Sequence, residues 1–332
     1  MQRILKNREA LLALIVAMMV AGFATRAEGF ASAGNLANIF NDTSILIILA
    51  LGQMTVILTK SIDLSVAANL AFTGMAVAML DAGYPGLPLA LLIVLAVVIG
   101  ATLGAINGFL VWLLQIPPIV VTLGTLTIYR GMAFVLSGGS WVNAHQMTPD
   151  FLNLPRLPVL GMPILSWTAI AVVLLLWFVL TRTPFGRSTY AAGGNPTAAV
   201  YAGIDIGRAR FFAFVLSGAL AGLSGYLWVS RYAVAYVDIA AGFELDSVAA
   251  NVIGGVSIAG GIGTVVGTVL GALFLGVIKN ALPVIGVSPF AQMAISGIVI
   301  VLAVVFNARA ERKKGRIILR DRAAKEEKEV TA

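Results

Sequence analysis

Long apolar stretches alternate with short polar ones along most of the 332-residue chain. A helix of about 20 apolar residues is long enough to cross the hydrocarbon core of a bilayer. Shorter apolar segments are tolerated where neighbouring protein covers their backbone. The pattern predicts an all-α, polytopic membrane protein with about ten transmembrane helices: Ala10–Ala24, Ile39–Thr59, Leu64–Leu80, Leu87–Leu114, Ile119–Leu136, Pro163–Leu180, Phe211–Val229, Leu245–Ile258, Val265–Val277 and Phe290–Phe306.

Composition supports this class. The chain is 59% hydrophobic and only 11% charged, with a mean hydropathy of +0.97, whereas about a quarter of the residues in a soluble domain are charged. The chain contains no cysteine, which excludes disulfides and thiolate chemistry. No small-residue cleavage site follows the first apolar segment, so we expect a retained first helix.

The distribution of basic residues predicts the orientation. If the N-terminus lies inside the cell, most basic residues are internal: three at the N-terminus, Lys60, four arginines in the central loop and nine in the tail. These are 17 of the 22 Lys and Arg. Such a bias favours cytoplasmic termini. We therefore divide the chain into a transmembrane domain, 1–308, with a cytoplasmic loop at 182–210, and a basic cytoplasmic tail, 309–332. The net charge of +7 lies at membrane edges, which favours lipid contact and no nucleic-acid partner.

Glycines recur at four-residue intervals in three of the predicted spans. This spacing allows helix backbones to approach closely. The fragment Leu103-Gly-Ala-Ile also resembles Leu270-Gly-Ala-Leu, as expected if spans 2–5 and 7–10 form an inverted repeat. The glycine series are Gly100, Gly104, Gly108; Gly218, Gly222; and Gly263, Gly267, Gly271.

The polar stretch 182–210 is the longest well-punctuated interruption between apolar segments. Asn195 followed by Pro196 is typical of a helix N-cap and first helical position. The residues from Thr197 to Ala202 fill one or two turns, and Gly203 would end them. The pattern predicts a short helix held between two spans, and an ordinary cytoplasmic loop is the alternative.

Two polar groups are candidates for a translocation pathway. Lys60 and Asp63, three residues apart, could pair at a broken helix between the second and third spans; the alternative is a turn facing water. Thr122, Thr125 and Tyr129 share one helical face of the fifth span.

Arg130 follows this face directly. An intramembrane arginine is costly and usually faces a cavity or a partner, although snorkelling of Arg130 at the outer end is an open alternative. Asn107, on the fourth span, is a further candidate for the pathway.

Enzyme signatures fail on specific residues. The run Gly260-Gly-Ile-Gly-Thr lacks the Gly-Lys-Ser/Thr of a P-loop. Gly222-Leu-Ser-Gly fits an intramembrane serine protease pattern, but its base would have to be His145, the sole histidine, on an outer loop. Helix packing explains that pattern better. We expect no catalytic, cofactor-binding or metal-binding residue in this chain.

Several motifs together resemble the permease subunits of ribose-type ABC sugar importers, from about Ile45 to Phe306. Within that family, Asn7-Arg-Glu, the turn Thr59-Lys-Ser-Ile-Asp and Tyr129-Arg-Gly look most similar to permeases for autoinducer-2 and rhamnose. Asn251 departs from the apolar residue expected there. The motifs are Asp63-Leu-Ser-Val, Thr122-Leu-Gly-Thr-Leu, Phe185-Gly-Arg before Gly-Gly-Asn, and Gly254-Gly-Val-Ser-Ile-Ala-Gly-Gly with Gly267-Thr-Val-Leu-Gly-Ala.

The resemblance implies a subunit of the bacterial inner membrane that does not itself hydrolyse ATP. ATP and Mg would bind a separate cytoplasmic ABC ATPase, a periplasmic sugar-binding protein would deliver the solute, and a second permease chain, identical or related, would complete the pathway. A secondary transporter or facilitator for a small polar solute is the alternative. The short helix would be the coupling helix, with these contacts to the ATPase: Arg187, Gly194, Asn195, Pro196, Thr197, Ala198, Ala199 and Gly203.

Overall fold

The computed structural model describes residues 8–288 and, beyond them, 290–292, 294, 295, 297, 298, 301 and 305. Its secondary structure is predominantly helical, as predicted, with four two-residue strands. The strands β1 (Val142–Asn143) and β4 (Val234–Ala235) pair antiparallel, as do β2 (Pro158–Val159) and β3 (Met162–Pro163). The α-helices in chain order are α1 Arg8–Ala24, α2 Ala33–Leu58, α3 Val66–Gly83, α4 Leu89–Trp112, α5 Pro118–Ser137, α6 Pro149–Asn153, α7 Ile164–Arg182, α8 Pro184–Gly194, α9 Pro196–Tyr201, α10 Ile206–Tyr232, α11 Phe243–Ile253 and α12 Val265–Val284.

Seven helices within the described residues are long and apolar enough to cross a membrane: α2, α3, α4, α5, α7, α10 and α12. They match seven of the predicted spans. The first predicted span corresponds to the 17-residue α1 and the eighth to the 11-residue α11. About half of the residues of the tenth, 290–306, are described, and the tail 309–332 lies wholly outside the described residues. The chain is therefore a multi-span helical membrane protein.

One predicted boundary was wrong by two helical turns. The ninth span was expected to end at Val277, before the polar pair Lys279 and Asn280, but α12 continues to Val284. The structure supplies the physical reason. Lys279 forms an ion pair with Asp246 of α11 and lies over the ring of Phe243, so its charge is compensated within the helix pair and does not end the helix.

The centre of the bundle is α2. Every residue from Thr43 to Leu58 is buried, because α10, α11, α12 and α7 surround this helix. On the other side of α10 lie α3 and α4, and α5 packs against α3 and α4 at the periphery. The long helix α10 thus separates two groups of spans and contacts both.

The predicted glycine series of α4 and α10 face one another in the structure, and that of α12 packs on α11. On α4, a Cβ atom at Gly100 would lie 2.3 Å from the carbonyl oxygen of Gly218, and one at Gly104 would lie 2.2 Å from that of Phe214. On α12, a Cβ atom at Gly271 would lie 2.0 Å from the carbonyl oxygen of Ala250 on α11. Only glycine permits these backbone contacts, so the series are helix–helix contact lines.

Asn251, the polar departure from the expected pattern, is fully buried on α11. Its side-chain amide nitrogen donates to the carbonyl oxygens of Ala50 and Ser247, each at 2.8 Å. Its amide oxygen accepts from the Thr268 hydroxyl at 2.9 Å. Asn251 therefore links α2, α11 and α12, and its hydrogen-bonding groups are satisfied as burial requires.

The loops gather at two ends of the bundle, which we name by a residue in each. The Leu58 end contains the turn 59–65, the loop with α8 and α9, and the loop 254–264. The Tyr84 end contains the segments 138–163 and 233–242, which are joined by the β1–β4 pairing.

The long segment at the Tyr84 end is fastened to the bundle. The buried Asp81 carboxylate accepts from the Thr148 backbone N–H at 2.7 Å and from its hydroxyl at 2.8 Å. The Arg156 guanidinium donates to the carbonyl oxygen of Ser230 at 2.7 Å, and Phe151 is completely buried. This segment therefore covers the ends of α3 and α10.

We predict that Gly104→Ala destabilises the fold. The added methyl group would overlap the α10 backbone, and overpacking of this kind typically costs about 1–3 kcal/mol. The matched control is Gly22→Ala on α1, where a Cβ atom meets nothing within 4 Å. Thermal unfolding in detergent, followed by tryptophan fluorescence, should show a lower Tm for Gly104→Ala alone. Equal Tm values for the two variants would contradict the packing described here.

Candidate functional site

The loop between α7 and α10 contains two helices where the sequence predicted one. Its predicted short helix is α9. The Asn195 side-chain oxygen accepts from the Ala198 N–H at 3.0 Å, and Pro196 occupies the first turn. The additional helix, α8, begins after Thr183, whose hydroxyl accepts from the Gly186 N–H at 3.4 Å. A threonine followed by Pro184 is a helix-start signal that could have revealed α8.

The side chains of this loop differ in what they present to a partner. Most of the predicted coupling residues are exposed: Arg187, Gly194, Asn195, Thr197, Ala198 and Gly203, with Pro196 partly exposed. Ala199 is only 3% exposed and faces its own chain. A direct contact between Ala199 and a partner therefore does not fit the structure; the residue packs α9 onto the bundle.

Two exposed apolar side chains of α9 were missed as site candidates. Tyr201 is 88% exposed and Val200 is 59% exposed, at the Leu58 end of the bundle. Exposed aromatic residues next to small ones are typical of protein–protein contacts. The signal available in the sequence was the position of Val200 and Tyr201 at the end of the predicted short helix. The structure shows that they lie on the face opposite the buried Ala199.

The predicted pathway residues meet in one buried hydrogen-bond network. The Asp63 carboxylate accepts from the Ser65 hydroxyl at 2.6 Å and from the Ser65 N–H at 2.9 Å. The Asn107 side-chain amide donates to the Ser65 hydroxyl oxygen at 2.8 Å. The Tyr129 hydroxyl lies 3.3 Å from the Asn107 side-chain oxygen and donates to the Leu103 carbonyl oxygen at 2.8 Å. The network thus connects the turn after α2 to α4 and α5.

The polar face of α5 points into the chain. Thr122 donates to the Ile62 carbonyl oxygen at 3.2 Å, and Thr125 donates to the Thr122 carbonyl oxygen at 3.4 Å. Thr122, Thr125 and Tyr129 are all buried against α3 and α4. In this conformation these side chains line an internal helix contact, and their role in translocation stays a prediction.

Two of the three charged candidates, Lys60 and Arg130, lie outside the network of Asp63 and Asn107. Asp63 is bonded to Ser65, so the expected Lys60–Asp63 pair is replaced by a local turn, and the Lys60 side chain is exposed. Arg130 donates to the carbonyl oxygens of Val237 and Ile239 at the Tyr84 end. Arg130 thus binds a loop of its own chain, and its role in translocation stays a prediction.

Other chemistry considered from the sequence is not assembled in the described part of the chain. There, no three His, Cys, Asp or Glu side chains lie close enough to hold a metal ion. Ser224 is buried within α10, whereas His145 is exposed in the segment 138–163. The neighbouring Gly225 packs on α3, where a Cβ atom would lie 2.5 Å from the Leu70 carbonyl oxygen. This is the helix packing that the glycine pattern predicted.

Comparison with known proteins gives a consistent result. A family model described as branched-chain amino acid transport system / permease component matches residues 35–304. The D-allose transport system permease protein of Escherichia coli (strain K12) is 37% identical over 295 residues, 88% of this chain and 89% of that protein. The ribose import permease protein of the same organism is 36% identical over 313 residues, covering 92% and 95%. No solved structure matches the chain.

A third relative is the autoinducer 2 import system permease protein of Shigella flexneri. It is 36% identical over 306 residues, which cover 91% of this chain and 87% of the relative. These relatives cover nearly the whole described structure, including the central loop with α8 and α9 and the network around Asp63.

We predict a pH-dependent stability from Asp63, which lies in the turn between the spans α2 and α3. Burial raises the pKa of its carboxyl from 3.8 to about 6, although hydrogen bonds from Ser65 act in the opposite direction. A raised folded-state pKa means that the protonated form stabilises the fold. This stabilisation is fully present below pH 3.8 and is lost as the pH rises through about 6.

Asp63→Asn should therefore gain Tm relative to the unsubstituted chain near pH 7.5, and the gain should shrink towards pH 5. Differential scanning fluorimetry across this range measures both proteins. Asp205→Asn, at the exposed start of α10, controls for the loss of a carboxylate. A difference in Tm for Asp63→Asn that is constant with pH would show that Asp63 does not titrate in this way.

Proposed function

We propose that this chain carries a monosaccharide or sugar-like solute across the bacterial inner membrane. The chain belongs to the branched-chain amino acid transport system / permease component family and is a permease subunit of a ribose-type ABC importer. Ribose, allose, rhamnose and autoinducer-2 are the candidate solutes. A separate cytoplasmic ABC ATPase, which binds ATP and Mg, drives the transport.

The observation that carries this proposal is the exposed helix α9. It projects from the Leu58 end with Val200, Tyr201 and Ala198 exposed, and Asn195 caps it. Such a short helix with small and aromatic side chains suits a groove on the ATPase. Arg187, exposed on α8, is placed to pair with acidic groups beside that groove.

The glycine run 260–263 supports a motor outside this chain. The Gly261 N–H, which a phosphate loop would offer to a nucleotide, instead donates to the Leu58 carbonyl oxygen at 2.9 Å. Gly260 and Gly261 are packed against Gly193 and Gly194. This run is therefore used for internal packing, and we assign ATP and Mg to the partner subunit.

The outward face of α5 supports pairing with a second permease chain. Gly124, Thr127 and Gly131 are exposed there, and a Cβ atom at either glycine would meet nothing within 4 Å. Small residues at this spacing allow another helix to approach closely. The buried network of Asp63 and Asn107 would then lie beside the pathway between the two chains, where a change of conformation could expose it.

The orientation follows from the same assignment. The Leu58 end faces the cytoplasm and the ATPase, and the Tyr84 end faces the periplasm and a sugar-binding protein. Trp141 and Tyr236, whose rings stack 4.8 Å apart, lie at the periplasmic end. We also propose ten spans in total: the seven long helices, α1, α11 and the segment 290–306. Spans 2–5 and 7–10 would form an inverted repeat.

The proposed function is tested by reconstitution in vesicles with the ATPase encoded by a neighbouring open reading frame. We expect ATP-dependent uptake from a panel of ribose, allose and rhamnose, delivered by the co-encoded binding protein. Tyr201→Ala should weaken ATPase association more than about tenfold, since exposed tyrosines are common hot spots of interfaces.

Tyr84→Ala, 66% exposed at the opposite end, is the matched control and should leave ATPase association unchanged. Uptake by the permease chain alone would contradict the proposed function and favour a secondary transporter. Unchanged association of Tyr201→Ala would remove α9 as the docking element.

We predict that α9 is reached only from the cytoplasm. The chain has no cysteine, so Asn195→Cys and Trp141→Cys each introduce a single thiol. A membrane-impermeant maleimide should label position 141 in spheroplasts, whereas position 195 should react only after permeabilisation. Labelling of position 195 in intact spheroplasts would reverse the orientation and exclude the ATPase contact.

A further inference from the structure

Three segments that are far apart in the sequence meet by their backbones at the Leu58 end. They are the last turn of α8 at Gly193, the end of α2 at Leu58, and the loop after α11 at Gly260 and Gly261. The Gly261 N–H donates to the Leu58 carbonyl oxygen at 2.9 Å. We call this contact the glycine junction.

The junction has no room for a side chain. A Cβ atom at Gly193 would lie 1.8 Å from the Leu58 carbonyl oxygen and 2.6 Å from the Gly261 nitrogen. One at Gly261, whose φ is +71°, would lie 2.3 Å from the Gly194 Cα. Because Gly193 and Gly261 meet the other segments backbone to backbone, a displacement of one segment displaces the others. At Gly260 the Lys60 side chain also lies against the loop, 2.5 Å from a would-be Cβ atom.

Two hydrogen bonds brace the same place. The Tyr190 hydroxyl of α8 donates to the Gly263 carbonyl oxygen at 2.9 Å. The Arg210 guanidinium, at the start of α10, donates to the Thr59 carbonyl oxygen at 3.3 Å. Both bonds end on the loops that follow α11 and α2, so α8 and α10 hold these two loops from either side.

The two ends of the central loop are supported differently. Gly193 rests on backbone, whereas a Cβ atom at Gly207, at the start of α10, would meet the ring of Trp112 at 1.9 Å. A ring can turn when the helix beside it moves, but a backbone contact transmits the movement. The α8 side of the loop is therefore the stiffer connection to the bundle.

The junction stands between α9 and the buried network. Gly193 is three residues before Pro196, where α9 begins. Leu58 is five residues before Asp63, whose contact with Ser65 leads to Asn107. The path from the exposed α9 to α4 and α5 thus passes through the junction by direct contacts.

We infer that the glycine junction is the mechanical connection through which the ATPase moves the transport pathway. A shift of α9 pushes the end of α8 against Leu58 and Gly261, and the turn 59–65 carries the shift to the network of Asp63 and Asn107. Gly193, Gly261 and Tyr190 are positioning residues in this step. The inference rests on the proposed function and assigns these residues to coupling, not to ATPase docking.

Gly193→Ala and Gly22→Ala form a matched pair for the test. Gly22 lies on α1, outside the junction, and a Cβ atom there meets nothing within 4 Å. The complex is reconstituted with its ATPase and binding protein, and three quantities are measured: ATPase association, the rate of ATP hydrolysis, and radiolabelled ribose, allose or rhamnose imported per ATP hydrolysed.

For Gly193→Ala we expect normal association and continued hydrolysis, with about tenfold less solute imported per ATP, within the usual range of coupling between distant sites. Gly22→Ala should match the unsubstituted complex. Tyr190→Phe removes only the hydroxyl that binds Gly263, so it should insert normally and lower the same ratio several-fold.

If Gly193→Ala does not fold, the ratio of solute to ATP measured for Tyr190→Phe tests the inference. An unchanged ratio of solute to ATP in Tyr190→Phe, or in a folded Gly193→Ala, would overturn the inference while leaving the proposed function intact. Loss of ATPase association in both variants would likewise overturn it, since the junction would then serve docking. Failure of the unsubstituted complex to show ATP-dependent uptake would remove the proposed function and this inference together.

Discussion

Direct contact between helix backbones is the constraint on which this structure depends. In a bilayer the hydrophobic effect does not drive one helix onto another, so spans associate through close packing and hydrogen bonds. Gly100 and Gly104 of α4 face Gly218 and Gly222 of α10, and each would-be Cβ atom lies 2.1–2.3 Å from the nearest opposing backbone atom. This contact line fixes α10 between the two groups of spans.

Close packing also explains where polar side chains occur inside the bundle. Asn69 donates to the Gly100 carbonyl oxygen at 3.0 Å, where α3 crosses α4. Asn251 performs a similar role between α11 and α2. A polar group without a partner is expensive in an apolar medium, so each such asparagine specifies one helix arrangement. The network of Asp63, Ser65 and Asn107 belongs to the same type, but it begins in a turn that directly follows the glycine junction.

Features set by local chemistry could be read from the sequence. The Asn195-Pro196 pair defined α9, and the four-residue spacing of glycines identified helix faces that proved to be in contact. Partners distant in sequence could not be read in this way. Asp63 was matched with Lys60, whereas it accepts from Ser65, whose hydroxyl oxygen in turn accepts from Asn107 on α4, far away in the sequence. The ion pair of Lys279 with Asp246 likewise extends α12 beyond its expected end.

Arg130 connects the peripheral helix α5 to the loops at the Tyr84 end of the bundle. Its guanidinium, on the peripheral helix α5, donates hydrogen bonds to the carbonyl oxygens of Val237 and Ile239. Hydrogen bonds to a charged group contribute about 1.5–3 kcal/mol each. A tilt of α5 away from the bundle must either break both bonds or drag the 236–240 segment with it. The segment 236–240 and the peripheral helix α5 are therefore linked, and neither can move away from the bundle independently of the other.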